Sequence, residues 1–339
     1  MSGWLSKAAK EVQAGRYVLR LGEPLRVGGC ELTHRTGLLI RWTEDGGGVG
    51  WGEASPLPGY HRESLEEVIQ AFGVWKRDPE AWGLAGDFPS LRFGLEQAAE
   101  SAGGRFAGLS ARRIGINALV DLSRPGEAIA RIAEGYHRLK IKVGRMDVEV
   151  EREGLRRIMG ELPEGVRLRL DANGSLSLEA ALHLAEGLEG DGIDYFEEPV
   201  AEAGDLERFR RETGWPVALD ESMADEEPSA DKLRGVDALV CKPMRAGGFS
   251  RARGWKACCE AAGTRFVLSS CFESGVGLGG LLDLAAEVEV SEPCGFDTWR
   301  IFGQDVVTPR LELDGPEVMW PRAGDGMRID ESMVEWLDD

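Results

Sequence analysis

The feature that most constrains this chain is a series of short, apolar, β-rich segments separated by helical stretches from about residue 114 onward. They cover residues 116–120, 139–143, 166–171, 193–197, 217–220, 238–242 and 266–270, with a weaker one at 295–298. Apolar strands joined by stretches long enough for a crossover helix predict a parallel sheet covered by helices. Eight such units predict closure into a barrel, and an open, doubly wound sheet is the competing arrangement.

The first hundred residues have a different texture. Residues 38–42 and 49–53 flank the turn Glu44-Asp45-Gly46-Gly47-Gly48 and predict a hairpin. Residues 64–76 and 91–102 carry apolar positions at helical spacing, so this part reads as an α+β module. The last forty residues hold Pro309, Pro316 and Pro321 among short strand-like pieces and are expected to return to that module. The reading divides the chain into a capping module over 1–105, a barrel over 106–303 and a returning segment over 304–339.

Composition removes several partners. With 40 Lys and Arg against 59 Asp and Glu, the formal charge of −19 argues against nucleic acid or an anionic membrane, which need clustered cations. No stretch approaches the about 20 apolar residues of a membrane span, and residues 1–13 lack the apolar run of a signal peptide. The six cysteines (Cys30, Cys241, Cys258, Cys259, Cys271, Cys294) form no C-x-x-C pair, so buried free thiols in a reducing cytoplasm are expected. A homo-oligomer is compatible with all of this.

Ionisable residues recur at the C-terminal ends of the segments. The second ends Lys140-Ile141-Lys142-Val143, the third Leu170-Asp171-Ala172-Asn173 and the fourth Tyr195-Phe196-Glu197-Glu198-Pro199. The fifth ends Leu219-Asp220-Glu221-Ser222 and the sixth Val240-Cys241-Lys242-Pro243. In a closed barrel these ends share one mouth, where active sites are built. Strand alternation sends Lys140 and Lys142 to the same side of it. A lone Asp after a strand is most often a helix N-cap, and a lone Lys there is a solvated rim charge. Three acids on consecutive strands, flanked by strands ending in Lys, are not explained that way, because burying so many charges is costly without partners. Three carboxylates form an all-oxygen site suited to Mg²⁺. A lysine beside a cation and a second lysine has its ammonium form disfavoured, as a general base requires. The parts fit removal of a proton from the carbon next to a carboxylate.

The pattern K-x-K, D-A-N, E-E-P, D-E-S and K-P, in that order, resembles the enolase superfamily and, within it, the muconate lactonizing subgroup. The resemblance implies a modified (β/α)7β TIM-type barrel with an α+β capping domain. It implies Asp171, Glu197 and Asp220 as ligands of one Mg²⁺, replaceable by Mn²⁺. Lys142 would be the base on one face, Lys242 the residue on the other, and Lys140 the helper that keeps Lys142 deprotonated. Asn173 would support the metal, with Glu198 and Glu221 behind it, while the role of Arg169, grouped with the substrate-binding positions, stays open.

Two stretches, Lys242-Pro243-Met244-Arg245-Ala246-Gly247-Gly248 and residues 268–278, resemble the o-succinylbenzoate synthase family most. That resemblance assigns Ser269, Ser270, Gly247, Gly248 and amides at a following helix N-terminus to substrate binding. It implies dehydration of a cyclohexadiene carboxylate in menaquinone synthesis. Gly275-Val276-Gly277-Leu278-Gly279-Gly280 also satisfies G-x-G-x-x-G, but it sits at the seventh unit, so an anion-binding loop is preferred to a dinucleotide site. The rival functions are a dipeptide epimerase or N-acylamino acid racemase of the same fold, muconate cycloisomerisation, a Schiff-base aldolase, and a non-catalytic barrel scaffold.

Overall fold

The computed structural model describes residues 9–78, 87–188, 190–311, 313, 315–320 and 328–338; Pro321 and residues 1–8 lie outside them. Strands β1 (Ala9–Val27) and β2 (Cys30–Glu44) pair antiparallel along most of their length and turn at Gly28 and Gly29, both at positive φ. β3 (Val49–Ala54) joins β2 across the Gly-rich turn. Helix α1 (Leu65–Arg77) begins at Ser64, where the Ser64 hydroxyl and the Glu67 carboxylate form a reciprocal capping box. Helix α2 (Pro89–Ala102) follows, with proline in its first turn. It lies so close to β3 that a Cβ at Gly50 or Gly52 would meet the carbonyl of Ala98 or Gly94 at 2.1 and 1.9 Å. The G-W-G alternation is therefore the seat of α2 on the sheet. Leu38, Ile40, Trp42, Phe72, Trp75, Leu91 and Leu95 form a separate core there.

The barrel follows β4 (Arg112–Gly115) and opens on β5 (Ala118–Val120). In order come α3 (Pro125–Ala133), β6 (Arg138–Lys142), α4 (Val148–Gly160), β7 (Arg167–Asp171), α5 (Leu178–Ala185), β8 (Ile193–Glu197) and α6 (Leu206–Thr213). Then come β9 (Val217–Leu219), α7 (Glu221–Ala224), β10 (Ala238–Cys241), α8 (Pro243–Ala246), α9 (Phe249–Ala262), β11 (Arg265–Leu268) and α10 (Gly275–Glu287). β5 to β11 form one parallel seven-stranded sheet in chain order. The eighth position is only Cys294 and Gly295. Their backbones hydrogen-bond to Gly115 and Asn117 on one side and to Leu268 and Ser270 on the other. The sheet therefore closes, which settles the choice against an open one. Seven of the sequence-predicted strands lie within two residues of their expected positions, whereas the predicted 295–298 strand gives way to a 3-10 turn from Asp297.

Inside the barrel, Tyr195, Ala218, Ala238, Val240 and Val267 make a small apolar plug. Glu197, Asp220, Lys242 and Ser269 stand two residues further along the same strand lines, so alternation puts them above that plug at the mouth. The final strands are β12 (Val307–Thr308), β13 (Glu317–Trp320), β14 (Arg328–Ile329) and β15 (Val334–Trp336). β12 pairs with β14, β13 with β4, and β15 with β1.

Candidate active site

Asp171 and Glu197 end β7 and β8, Asp220 follows β9, and all three are buried. Burying three carboxylates together demands positive charge, which two strands supply. Lys140 Nζ lies 2.7 Å from Asp171 Oδ2 and 2.8 and 2.7 Å from the two oxygens of Glu197. Lys142, two residues on and on the same face, donates to Asp171 Oδ2 at 2.5 Å and to Asn173 Oδ1 at 2.9 Å. Lys242 follows β10, touches the Asp220 carboxylate, and stands 3.8 Å from Glu221. Among the described residues no three His, Cys, Asp or Glu side chains are gathered into a cation cage. Instead, Lys140 bridges Asp171 and Glu197, and Lys242 rests on Asp220.

The lysines are electrostatically unequal. Burial lowers the pKa of Lys142; Asp171 opposes it, but Lys140 and Lys242 add to burial and the net shift is downward. Burial also acts against charged Lys242, yet Asp220, Tyr60 and Glu221 outweigh it and hold the ammonium well above the usual range. Lys140 is likewise raised, by Asp171 and Glu197 against burial. Among the acids, Glu197 is pushed well up by burial and by Asp171, and Asp220 to about 6 by burial and Glu221. Three buried carboxylates with no sulfur or imidazole in the set are the donors a hard divalent cation takes.

Supporting residues are ordered by local chemistry. Glu198, at positive φ, accepts from Asp220 N at 2.8 Å, Ser222 N at 3.0 Å and Ser222 Oγ at 2.6 Å, fixing the turn that presents Asp220. Asn173 links Lys142 to Glu221, donating to Glu221 Oε1 at 2.7 Å.

Five residues expected to bind substrate have their polar groups engaged by the fold. The Ser269 and Ser270 hydroxyls donate to the Gly295 carbonyl, and Ser270 also meets the Thr298 hydroxyl. The amides of Gly247 and Gly248 both donate to the Pro243 carbonyl, and Gly248 packs on Glu96. Arg169 is fully buried and bonded to Asp194, Asn117, Glu292 and the Pro293 carbonyl, over the Tyr195 ring, so it braces the barrel interior beneath Asp171. The helix N-terminus expected to take a substrate carboxylate is α10, and the protein's own acids fill it. Glu53 accepts from Ser274 N and Gly277 N, and Asp305 accepts from Gly275 N. A Cβ at Gly277 or Gly280 would strike Glu273 and Glu53 or Gln97, so these glycines admit neighbouring side chains rather than a phosphate.

Sequence reasoning missed Tyr60. Its hydroxyl accepts from Lys242 Nζ at 3.0 Å, and its ring centroid lies 4.9 Å from that nitrogen. The Gly59 before it packs on Gly28 at the β1–β2 turn. The only signal in the sequence was its place in a Pro- and Gly-rich loop.

Residues 126–333 match the family described as Enolase C-terminal domain-like, and residues 9–102 match the MenC N-terminal domain. The chain is 31% identical to the o-succinylbenzoate synthase of Salmonella arizonae over 287 residues, 82% of this chain and 87% of that one. In fold it is similar to a dipeptide epimerase from Cytophaga hutchinsonii, with a TM-score of 0.82, 22% identity and coverage of 96% and 98%. It is also similar to a muconate lactonizing enzyme from Pseudomonas fluorescens, with a TM-score of 0.80, 18% identity and the same coverage. A capped barrel with lysines opposed across three strand-end carboxylates is an enolase-type enzyme. More narrowly, the chain belongs to the o-succinylbenzoate synthase family of the enolase superfamily, and it is a lyase.

Proposed function

We propose that this chain carries out the Mg²⁺-dependent syn dehydration of 2-succinyl-6-hydroxy-2,4-cyclohexadiene-1-carboxylate to o-succinylbenzoate, a cytoplasmic step of menaquinone biosynthesis. The observation that carries the reading is the 31% identity to an o-succinylbenzoate synthase over 82% of this chain, with Lys142 and Lys242 placed on Asp171 and Asp220 at the strand ends. A one-base elimination uses Lys142 for both proton transfers, whereas a racemase uses Lys142 and Lys242 in turn.

Asp171, Glu197 and Asp220 would hold the Mg²⁺, for which Mn²⁺ could stand in. When bound, the ion stabilises the negative charge that develops on the substrate carboxylate. Lys142 Nζ takes the proton from the carbon bearing the carboxylate. The same ammonium then protonates the departing hydroxyl, the carbon–oxygen bond breaks, water leaves and the ring becomes aromatic. Lys242 contributes a fixed positive charge on the opposite face. Lys140 stays charged between Asp171 and Glu197 and depresses its neighbour Lys142. Asn173 aims Lys142 by accepting from its ammonium. Ser269 and Ser270 are proposed as the wall of the mouth, Gly247 and Gly248 as the turn behind Lys242, and Arg169 as its floor. We assign the capping domain to 1–105, the barrel to 106–303 and the returning segment to 304–339. Among the described residues, no helix is long and apolar enough to cross a membrane.

The test is ultraviolet-monitored aromatisation of the cyclohexadiene substrate with Mg²⁺ and with EDTA. The proposal expects turnover that EDTA abolishes. Absence of turnover, with metal-dependent deuterium exchange into a dipeptide or N-acyl amino acid, would move the function to racemisation.

A further inference from the structure

The loop after β11 and the loop after β3 both border the mouth, and buried charges from the capping domain hold both. Arg35, in β2, is 1% exposed. Its guanidinium donates to the carbonyls of Cys271 at 3.2 Å and Phe272 at 3.0 Å on one loop, and to those of Ser55 and Pro56, the latter at 3.1 Å, on the other. Glu53, in β3, is 0% exposed. It accepts from Ser274 N, Ser274 Oγ and Gly277 N at the start of α10, and from Tyr17 Oη at 2.6 Å and Ser55 Oγ at 2.7 Å.

The contacts to the 55–56 loop lead on to Lys242, while those to residues 271–277 hold the loop that follows Ser269 and Ser270 at the mouth. The 55–56 loop runs into Tyr60, whose hydroxyl and ring meet the Lys242 ammonium. Ser55 Oγ also lies 3.3 Å from the sulfur of Met244, two residues after Lys242. A buried charge cluster is a poor way to gain stability, since well-packed apolar groups serve as well. Two side chains that fasten two mouth loops to one another do something that apolar packing does not: they fix direction through bonds to named carbonyls and amides.

We propose that Arg35 and Glu53 are positioning residues of the reaction, acting through the 55–60 and 271–274 loops to set Lys242 and the substrate-facing wall. This rests on the dehydration proposed above. Neither residue reaches the reacting atoms, so the effect is one of geometry, where displacements of about an ångström cost up to about a hundredfold in rate.

The experiment compares Glu53→Gln, Arg35→Lys and Arg253→Ala. Arg253 serves as the control because it ties α9 to Glu100 of α2 and Glu287 of α10. For each variant, kcat and KM for the cyclohexadiene substrate are measured well below its melting temperature. Hydrogen–deuterium exchange of residues 55–61 and 269–277 is followed alongside. The expected result is a fall of about tenfold or more in kcat/KM for Glu53→Gln and Arg35→Lys, with faster exchange in both loops. Arg253→Ala should lose melting temperature while keeping kcat/KM and loop exchange at the wild-type level. Kinetics within twofold of wild type for the first two variants would overturn the proposal, as would an equal kinetic loss in Arg253→Ala. If the wild type itself does not turn over the substrate, the functional reading fails, and loop exchange alone decides this inference. Unchanged exchange in both loops would then sink it.

Discussion

At the scale of single residues the proposed chemistry turns on where the two mouth lysines stand. Lys142 and Lys242 are the same side chain, yet Lys142 shares Asp171 with Lys140 and bonds Asn173, whereas Lys242 stands among Asp220, Glu221 and Tyr60. Tyr60→Phe isolates one part of this. The ring remains over Lys242, while the hydroxyl that accepts from it is lost. A hydrogen bond to a charged group is worth about 1.5–3 kcal/mol, so kcat should fall about tenfold, and Tyr60→Leu should fall further. Steady-state kinetics at saturating Mg²⁺ checks it; equal activity in both variants would deny Tyr60 its part. The strand-end acids and lysines were legible in sequence because residue type and strand alternation are local facts. Tyr60, Arg35 and Glu53 were not, because their meaning lies in contacts as much as 237 positions away in the chain. For the same reason Ser269, Ser270, Gly247, Gly248 and Arg169 could be named from a motif but not followed to the partners that occupy them.

Among the elements, α10 shows how a barrel helix can be held by the capping domain. Its first-turn amides meet Glu53 and Asp305, and Glu273 just before it is buried with Oε1 lacking a hydrogen-bond partner among the described residues. Burial first, and Glu53 second, push Glu273 up to about 8. Between the ordinary value of 4.5 and about 8, folded Glu273 keeps a proton that the unfolded chain has lost, so stability falls as pH rises through that window. Glu273→Gln should remove a slope of up to about 1.4 kcal/mol per pH unit. Urea denaturation of both proteins at pH 5, 6.5 and 8 measures it, and parallel stability profiles would refute the assignment. The seven full strands were legible because each is a short β-rich run with apolar residues at alternate positions or throughout. The eighth was placed only as a weak run at 295–298, because Cys294 and Gly295 bond on both sides without a β-rich run to mark them. The length of β1 was hidden too, since Arg16, Arg20 and Glu23 break any apolar pattern in a strand with one solvent face.

For the whole molecule, a net charge of −19 surrounds a mouth where cationic side chains answer buried acids. The N-terminal sheet takes its edge strand from the far end of the described residues, since β15 pairs with β1. The central claim is that Lys142 is the base of a metal-dependent dehydration performed in this mouth. Its most direct test is single-turnover aromatisation of the cyclohexadiene substrate by wild type and Lys142→Ala, with Mg²⁺ binding to each followed by calorimetry. The account predicts that both proteins bind Mg²⁺, that EDTA silences the wild type, and that Lys142→Ala loses about 10³-fold or more in rate. A Lys142→Ala protein that binds Mg²⁺ and aromatises the substrate within about tenfold of the wild-type rate would contradict it.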